Sequence, residues 1–208
     1  MNRRALAVVL LAVAVAGCSG GPSRAVASGS PATVQAGTLD GTGYEHAGTE
    51  NRTLNTTVSA TISGDVEMSA DRPVTATTPV ATYRRTTDAG PALILVATAP
   101  AVRPIENQPL VRNPLTTLTP GALVGYLQST YAVDSLSDGE NTTVELLGNE
   151  TTAETFEGTG TLSGESVAVR VTTASVRDGD EFVTVAAVHP ASIEERARVR
   201  QLLAGVEH

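Results

Sequence analysis

The sequence predicts an α+β fold in which an antiparallel β-sheet is covered by two helices, an α/β sandwich. Threonine occurs 29 times in 208 residues, and this β-branched polar side chain suits strands that have one wet face. Apolar runs with strand-like patterns recur along the chain, and two stretches have the apolar spacing of amphipathic helices. Aromatic residues amount to only 3%, so the core must be built from aliphatic side chains.

Three candidate strands occupy the first half of the predicted domain. Residues 54–63 alternate between apolar residues and Thr or Ser, which predicts a half-buried strand. Residues 74–84 form a second, weaker candidate. Residues 92–99 are continuously apolar between Pro91 and Pro100, a pattern typical of a central strand that is buried on both faces.

A proline-rich connection follows, from residue 100 to residue 120. Each proline removes a backbone donor and disfavours helix in the residue before it, so we expect an ordered loop that crosses the surface. At its end, Thr119 can cap a helix that has Pro120 in its first turn. Apolar residues at helical spacing then predict a short amphipathic helix: Leu123, Val124, Leu127 and Tyr131.

The last third of the chain predicts a β-meander. Its turn signal is Asp178-Gly179, which is typical of a two-residue hairpin of type I′, with positive φ at both central residues. Four candidate strands surround the turns: residues 142–147, 152–162, 166–176 and 181–188.

A closing helix is predicted after His189-Pro190. Ser192 and Glu195 have the spacing of a capping box, in which the serine side chain accepts from the Glu195 N–H group. The helix would present one apolar stripe to the sheet: Val199, Leu202, Leu203 and Val206.

The amino terminus has the pattern of an export signal. Arg3 and Arg4 precede twelve apolar residues, 5–16, which span ~18 Å as a helix, too short for a bilayer core of ~30 Å. The run ends in Val15-Ala16-Gly17-Cys18, which resembles a lipobox. We therefore expect residues 1–17 to be a signal peptide and Cys18 to carry a lipid. A plain secretory signal with an accidental cysteine is the alternative, and the choice between general and twin-arginine export stays open.

Residues 18–50 are mostly Gly, Ser, Ala and Thr without an apolar period, which predicts a flexible tether with an r.m.s. span of ~30 Å. A single domain would then occupy residues 51–208. We expect it at the external face of the cell membrane, held there through the lipid on Cys18. Because this is the only cysteine, no disulfide can form within the monomer.

The charge balance is strongly acidic. The formal net charge is −8, and all 14 basic residues are Arg. Loss of Arg3 and Arg4 with the signal peptide leaves 12 Arg against 22 acidic residues, a net charge of −10. Such a surface repels phosphates, which argues against nucleic acid as a partner. An acidic, lysine-free composition resembles haloarchaeal proteins; a high-GC genome that encodes Arg in place of Lys is the alternative.

Metal and cofactor sites are not indicated. None of the three histidines, His46, His189 and His208, lies at ligand spacing from another histidine or from the cysteine. The acidic stretch 178–181 lacks the regular oxygen positions of a calcium loop, and the hairpin explains it better. We therefore expect neither a metal nor a cofactor.

Catalytic motifs are not indicated either, so we expect no enzyme activity. Glu154 and Glu157 would point to opposite faces of a strand and cannot act as a carboxylate pair. Ser166 lacks the nucleophile elbow of a serine hydrolase. The stretch 158–160, Gly-Thr-Gly, is too short for a phosphate loop.

Two kinds of candidate surface site remain. In the proline-rich loop, Arg103 and Arg112 are the charged points at which we expect a partner contact, because long loops in compact domains are often functional. Four Asn-x-Thr sequons are candidate glycan sites, although a Thr-rich chain also produces such triplets by chance: Asn51, Asn55, Asn141 and Asn149.

Seven features of the chain occur together: the lipobox, the Thr-rich tether, residues 92–99, Asn113-Pro114-Leu115, Leu146-Leu147-Gly148, Phe156-Glu157-Gly158 and residues 189–208. Together they resemble a group of haloarchaeal lipoproteins of a domain-of-unknown-function family, the 6517 type. The order of strands with a closing helix is also similar to PsbP-like α/β/α sandwiches, which serve as extrinsic binding or assembly factors of membrane complexes. This second likeness concerns the fold alone.

The sequence therefore favours a non-catalytic envelope lipoprotein that binds a protein partner or a small ligand, or assists a membrane complex. A cell-surface hydrolase whose site is assembled from scattered residues is one alternative. A purely structural envelope component is the other. The oligomeric state is not indicated by any pattern in the chain.

Overall fold

A computed structural model describes residues 24–63, 67–137 and 139–208. The predicted signal peptide and Cys18 lie outside these residues. Within them the protein is mostly β, and a large curled sheet of mixed direction forms a half-barrel. No helix in the described ranges combines the length and the apolar character that a membrane crossing requires.

The described residues form eleven strands and three α-helices, with one short 3-10 turn at Pro114–Thr117. The strands of the amino-terminal half are long, and those of the carboxyl-terminal half form a meander. In order they are β1 (Ala25–Ser28), β2 (Thr33–Val34), α1 (Ala36–Thr42), β3 (Glu45–Ile62), β4 (Met68–Arg85), β5 (Ala92–Pro100), α2 (Pro120–Leu127), β6 (Tyr131–Leu136), β7 (Glu140–Leu146), β8 (Asn149–Leu162), β9 (Glu165–Asp178), β10 (Glu181–Pro190), α3 (Arg196–Ala204) and β11 (Val206–Glu207).

The main sheet is built around two long strands, β4 and β8. One edge of β4 pairs with β3, and its other edge pairs with β1 and β5 in succession. From β5 the sheet continues through β10 and β9 to β8, whose far edge pairs with β7 and β6. Among the strands that the structure describes, β1 alone runs parallel to its neighbour. The two central strands, β5 and β10, have little exposed surface on either side, as the continuous apolar run at 92–99 predicts.

Two separate cores cover the two faces of the sheet. Alternate residues of a strand point to opposite faces, so Val188 of β10 lies in the first core and Ala187 in the second. The first core fills the curl of the sheet and is closed by the 3-10 turn and by α2. The second core is covered by α3, which buries Val199, Leu202 and Leu203 as its sequence predicts.

The predicted sandwich, with two helices covering the sheet, is therefore wrong, and so is its likeness to PsbP-like sandwiches. Helices α2 and α3 lie on opposite faces, because strands that are apolar on both faces need cover on both sides. The sheet also curls into a half-barrel instead of remaining an open layer. The pattern of single strands does not contain this curvature, which arises from the way β4 and β8 each pair with two strands along one edge.

The predicted tether is also corrected within the described residues. The segment 24–50 contains β1, β2, α1 and the start of β3, so the fold does not begin at residue 51. Strand β1 adds four backbone pairs to β4, and β2 pairs with β11 beside α3. Ala32 and Val34 are buried there. Small residues and backbone hydrogen bonds hold this segment, so it shows no apolar period.

Helix α2 begins as predicted: Thr119 accepts a hydrogen bond from the Ala122 N–H group at 3.4 Å, and Pro120 is the first helical residue. It ends earlier than predicted. The Gln128 side chain accepts from the backbone N–H group of Tyr131 at 2.8 Å, which turns the chain into β6. Tyr131 is therefore a buried strand residue, and burial raises the pKa of its hydroxyl to about 12.

The Asp178-Gly179 hairpin is confirmed, but its turn has positive φ at Gly179 only. This geometry fits type II′, which places glycine at the first central position, instead of the predicted type I′. The two preceding hairpins have positive φ at both central residues, Leu147-Gly148 and Ser163-Gly164. These are the turns that resemble type I′.

Candidate functional site

The largest concave surface that we describe lies on the first face of the sheet. It is an open groove of about 570 Å³ between the segment 113–123 on one side and strands β7 to β10 on the other. We call it the hydroxyl groove because threonine and serine side chains line its sheet wall. The opposite wall is apolar and carries Leu115, Leu118 and Leu123.

Asn113 fixes the groove's loop wall to the sheet. Its side-chain NH₂ group donates to Ser175 Oγ at 3.0 Å and to Thr184 Oγ1 at 2.9 Å. Its Oδ1 accepts from the backbone N–H group of Leu115 at 3.0 Å, which caps the 3-10 turn. Asn113 is 4% exposed, so these bonds satisfy an amide that burial would otherwise leave unpaired.

The same network leaves one hydroxyl hydrogen without an acceptor. Ser175 Oγ and Thr184 Oγ1 are 3.0 Å apart, so one of the two hydroxyls donates to the other. Both oxygens already accept from Asn113. The second hydroxyl hydrogen therefore has no acceptor in the part of the chain that the structure describes, and it is available to a ligand in the groove.

Other polar groups of the sheet wall are similarly available. Thr152, Thr173 and Glu154 line the groove and make no side-chain hydrogen bond with the described residues. Glu154 supplies a carboxylate acceptor beside the hydroxyl donors. The groove thus combines donors, acceptors and an apolar wall, which suits a ligand with hydroxyl or amide groups and an apolar side.

The two arginines predicted as partner contacts lie outside this groove. Arg103 faces the β9–β10 hairpin, where its guanidinium is 3.9 Å from Asp180 and its carbonyl accepts from Arg72 at 2.9 Å. Arg112 pairs its backbone with Val102 and exposes its side chain. Within this loop the structure instead brings the next residue, Asn113, to the groove. Its place in Asn-Pro-Leu is a turn-capping signal that sequence reasoning did not connect to a site.

All four sequon asparagines are exposed. Asn51 and Asn55 lie on β3, Asn141 lies on β7 at the groove, and Asn149 begins β8. Asn55 thus lies within the strand that the sequence predicts at residues 54–63. Asn55 accepts hydrogen bonds from Arg24 and Thr75 through its Oδ1 atom.

The histidines do not converge. His46 is exposed on β3, where its Nε2 lies 3.1 Å from Thr49 Oγ1. His208 bridges the β9–β10 hairpin, with ring nitrogens 2.8 Å from Asp178 and 2.9 Å from Glu181, so these carboxylates have a protein partner. His189 is buried on the second face. Nowhere in the described ranges do three or more His, Cys, Asp or Glu side chains gather as a metal site would need.

The residues considered for catalysis also remain apart. Ser166 pairs with Thr161 at the start of β9, whereas His189 pairs with Arg170, four residues further along the strand. At ~3.3 Å per residue this separates them by ~13 Å, too far for a nucleophile and its base. Glu154 and Glu157 point to opposite faces as predicted.

Glu157 lies on the second face and accepts from the Arg170 guanidinium at 2.6 Å. This hydrogen bond, together with the positive charge of Arg170, lowers the pKa of the Glu157 carboxyl group. Because Glu157 is exposed, the pair contributes little to stability.

A buried charge cluster was missed by the sequence. Glu195 does not take part in a capping box: α3 begins at Arg196, and no side chain caps it. The Glu195 side chain is fully buried, forms an ion pair with Arg85, and accepts from the Tyr44 hydroxyl at 3.0 Å. Burial, and then the adjacent carboxylate, raise the pKa of that hydroxyl. The cluster ties α3 to β4, so its geometry indicates a structural role.

Comparison with known proteins adds the family and nothing more specific. No significant match was found among curated proteins or among solved structures. One family model matches residues 31–207, which include β2 to β11 and both walls of the hydroxyl groove. The chain belongs to this family, a domain of unknown function named DUF6517.

Proposed function

We propose that this protein is an exported, lipid-anchored envelope protein whose domain works by binding, not catalysis, and that the hydroxyl groove is its binding site. Its ligand would be a small neutral molecule rich in hydroxyl or amide groups. The observation that carries the proposal is the unpaired hydroxyl hydrogen of the Ser175–Thr184 pair at the wall of a groove of about 570 Å³.

The chemistry of the groove supports a neutral ligand. Among the described residues no arginine lines it, so a strong anion would find no counter-charge there, and the Glu154 carboxylate would repel an anion. Hydroxyl groups both donate and accept, as the groove's threonines and serine do. A sugar-like ligand could therefore match them, with its C–H groups against the leucine wall.

The anchoring part of the proposal rests on the sequence. The lipobox-like run before Cys18 supports lipid attachment, and the export signal in front of it supports a domain outside the cell. A cell-surface hydrolase is disfavoured by the separation of Ser166 from His189 in the fold. The other alternative, a purely structural envelope component, would have no ligand in the groove.

The groove is tested by calorimetric titration of the full-length protein with neutral oligosaccharides and N-acetylated sugars. The T152V/T173V variant removes two groove hydroxyls while keeping the β-branched shape. We expect a sugar that binds the wild type to bind this variant at least about fivefold more weakly, because each of the two lost bonds to a ligand is worth ~0.5–1.5 kcal/mol. The matched control is T53V, on exposed β3 and outside the groove.

Three results would contradict the proposal. Binding that is equally strong in T152V/T173V would place the ligand elsewhere. No binding of any neutral sugar or amide would favour the structural alternative. Turnover of ester, peptide, phosphate or glycoside substrates that is lost on replacing His189 or Ser166 would favour the hydrolase.

A further inference from the structure

A second, much smaller cavity lies on the opposite face of the sheet from the groove. It has a volume of about 40 Å³, lies between β7–β10 and the first turns of α3, and is partly open to solvent. A single water needs roughly 10–15 Å³ of such space, so the cavity accommodates about three water-sized groups. Three arginines and one histidine line it: Arg170, Arg196, Arg200 and His189.

Arg196 and Arg200 are placed where positive charge is unfavourable. They are four residues apart, so they are neighbours on one side of α3 and repel each other. Arg196 is also the first residue of the helix, where the helix dipole favours negative charge. Neither forms an ion pair with a carboxylate among the described residues; Arg200 donates only to the Thr143 carbonyl, at 3.3 Å.

The carboxylates near the cavity do not remove this imbalance. Glu157 is engaged by Arg170 at 2.6 Å. Glu140 lines the cavity, but it is not within ion-pair distance of Arg196 or Arg200 in the described residues. Arg196 and Arg200 are exposed to solvent on one side, and Arg196 also acts on Glu157 at longer range, but neither guanidinium has a carboxylate within ion-pair distance in the described residues. An anion between the two guanidinium groups would relieve their mutual repulsion. The start of α3 already has a carboxylate beside it, since Glu194 Oε1 accepts from the Arg196 N–H group at 3.3 Å.

His189 adds an acceptor to these donors. It is 2% exposed, and burial lowers the pKa of its imidazole, which favours the neutral ring. Its Nδ1 atom lies 2.9 Å from the Pro190 carbonyl, which requires the ring hydrogen to be on Nδ1. The Nε2 atom is then a bare acceptor, and it makes no hydrogen bond with the residues that the structure describes.

We propose that this cavity binds a small oxyanion that still carries a proton, with hydrogen phosphate as its representative. The guanidinium groups of Arg196 and Arg200 would bind its charged oxygens, as arginine forks do in other proteins. The remaining P–OH group would donate to His189 Nε2. Sulfate has the same shape but no proton at neutral pH, so it would leave the buried Nε2 acceptor unpaired.

The test is calorimetric titration of the full-length protein at pH 7 and constant ionic strength. We expect inorganic phosphate to bind at least tenfold more tightly than sulfate or chloride. We expect glycerol 3-phosphate to bind at least tenfold more weakly than inorganic phosphate, because its ester oxygen replaces the P–OH group that would donate to His189 Nε2. In the R196Q/R200Q variant the phosphate affinity should fall at least tenfold. The matched control is R103Q/R177Q, which removes two arginines beside Asp180 on the β9–β10 hairpin.

A second measurement needs no variant. In the wild type, nitrogen NMR of the His189 ring should show a shift of the Nε2 signal when phosphate is added, and no such shift with sulfate. Equal phosphate affinity in R196Q/R200Q, or equal affinity for sulfate and phosphate, would overturn the proposal. So would tight binding of glycerol 3-phosphate, or an Nε2 signal that phosphate leaves unchanged.

Discussion

At the scale of single residues, the buried Glu195 carboxylate is the group whose removal should matter most. Its side chain has no exposed surface, and Arg85, which neutralises it, is itself only 22% exposed. The Tyr44 hydroxyl donates a further hydrogen bond. Removing one partner from such a pair leaves the other charge uncompensated, which costs about 3–5 kcal/mol when both are buried.

We therefore expect E195Q to lower the free energy of unfolding by about 3 kcal/mol, since Arg85 is partly solvated. Chemical denaturation followed by circular dichroism measures it. The matched control is E194Q, which alters the adjacent exposed residue and should change stability by less than about 0.5 kcal/mol. Similar losses in the two variants would show that the ion pair does not stabilise the fold.

His189 should make the fold sensitive to acid. Burial lowers its pKa in the folded state below the value of 6.5 expected when unfolded. The folded protein thus binds fewer protons, and stability contributed by the neutral ring is lost as the pH falls through about 6.5. We expect the melting temperature to fall between pH 7.5 and 5.5, and to fall less in H189Q. An identical pH dependence in H189Q would assign the effect to other groups.

At the scale of elements, close backbone contact fixes β6 against β8. A Cβ atom at Gly158 would lie 1.9 Å from the Ser135 carbonyl oxygen, next to the bulge in β6. We expect G158A to displace β6 and to lower the melting temperature by several degrees. In G125A, where a Cβ meets no atom within 4 Å in the middle of α2, stability should rise by up to about 1 kcal/mol. Equal stability of the two variants would contradict this placement of β6.

Elements with their own periodic pattern could be predicted from the sequence, and those held by backbone pairing could not. The apolar run at 92–99 specifies a buried strand, which is confirmed. The predicted stripe of α3 is confirmed for Val199, Leu202 and Leu203, whereas Val206 lies beyond the helix in β11. Strand β1 and helix α1 consist largely of small or polar residues, so the sequence suggested a tether there. Their stability comes from pairing with β4 and packing beside α3, which no local pattern reveals.

The candidate sites were hidden for a related reason. The hydroxyl groove joins Asn113 to Ser175 and Thr184, residues more than 60 positions apart in the chain. Each has an ordinary local role, as a turn cap or as a strand threonine or serine. Glu195 likewise has the spacing of a capping box, yet besides Arg198 in α3, at 3.3 Å, its partners come from β4 and from the residue before β3. Only the sheet topology brings such residues together.

At the scale of the whole molecule, anchoring can be tested at Cys18, which lies outside the described residues. We expect C18S to be released into the medium or to remain unprocessed, because it removes the thiol that would accept the lipid. Fractionation of cells and mass measurement of the amino terminus give the result. The matched control is S19A, which leaves the cysteine in place. A correctly cleaved C18S protein that stays on the membrane would contradict lipid anchoring.

The start of the fold so close to Cys18 predicts how the domain is held at the membrane. Seven residue steps separate Cys18 from Ala25 in β1, which limits their distance to about 25 Å even for a fully extended chain. Val26 in β1 should therefore lie near the bilayer. The end of β1 adjoins the β9–β10 hairpin. Ser163 lies in the turn before β9, at the opposite end of that strand, and the length of β9 separates it from the hairpin by about 40 Å.

Fluorescent labels on V26C and S163C, in separate lipidated proteins reconstituted into vesicles, measure this difference. Lipids that carry a quencher in their headgroups should quench the label on V26C more strongly. A tether that reached residue 50 would let the domain tumble at a distance of ~30 Å and would quench both labels alike. Equal quenching would therefore contradict close attachment through β1, even if C18S has already shown that Cys18 carries the anchor.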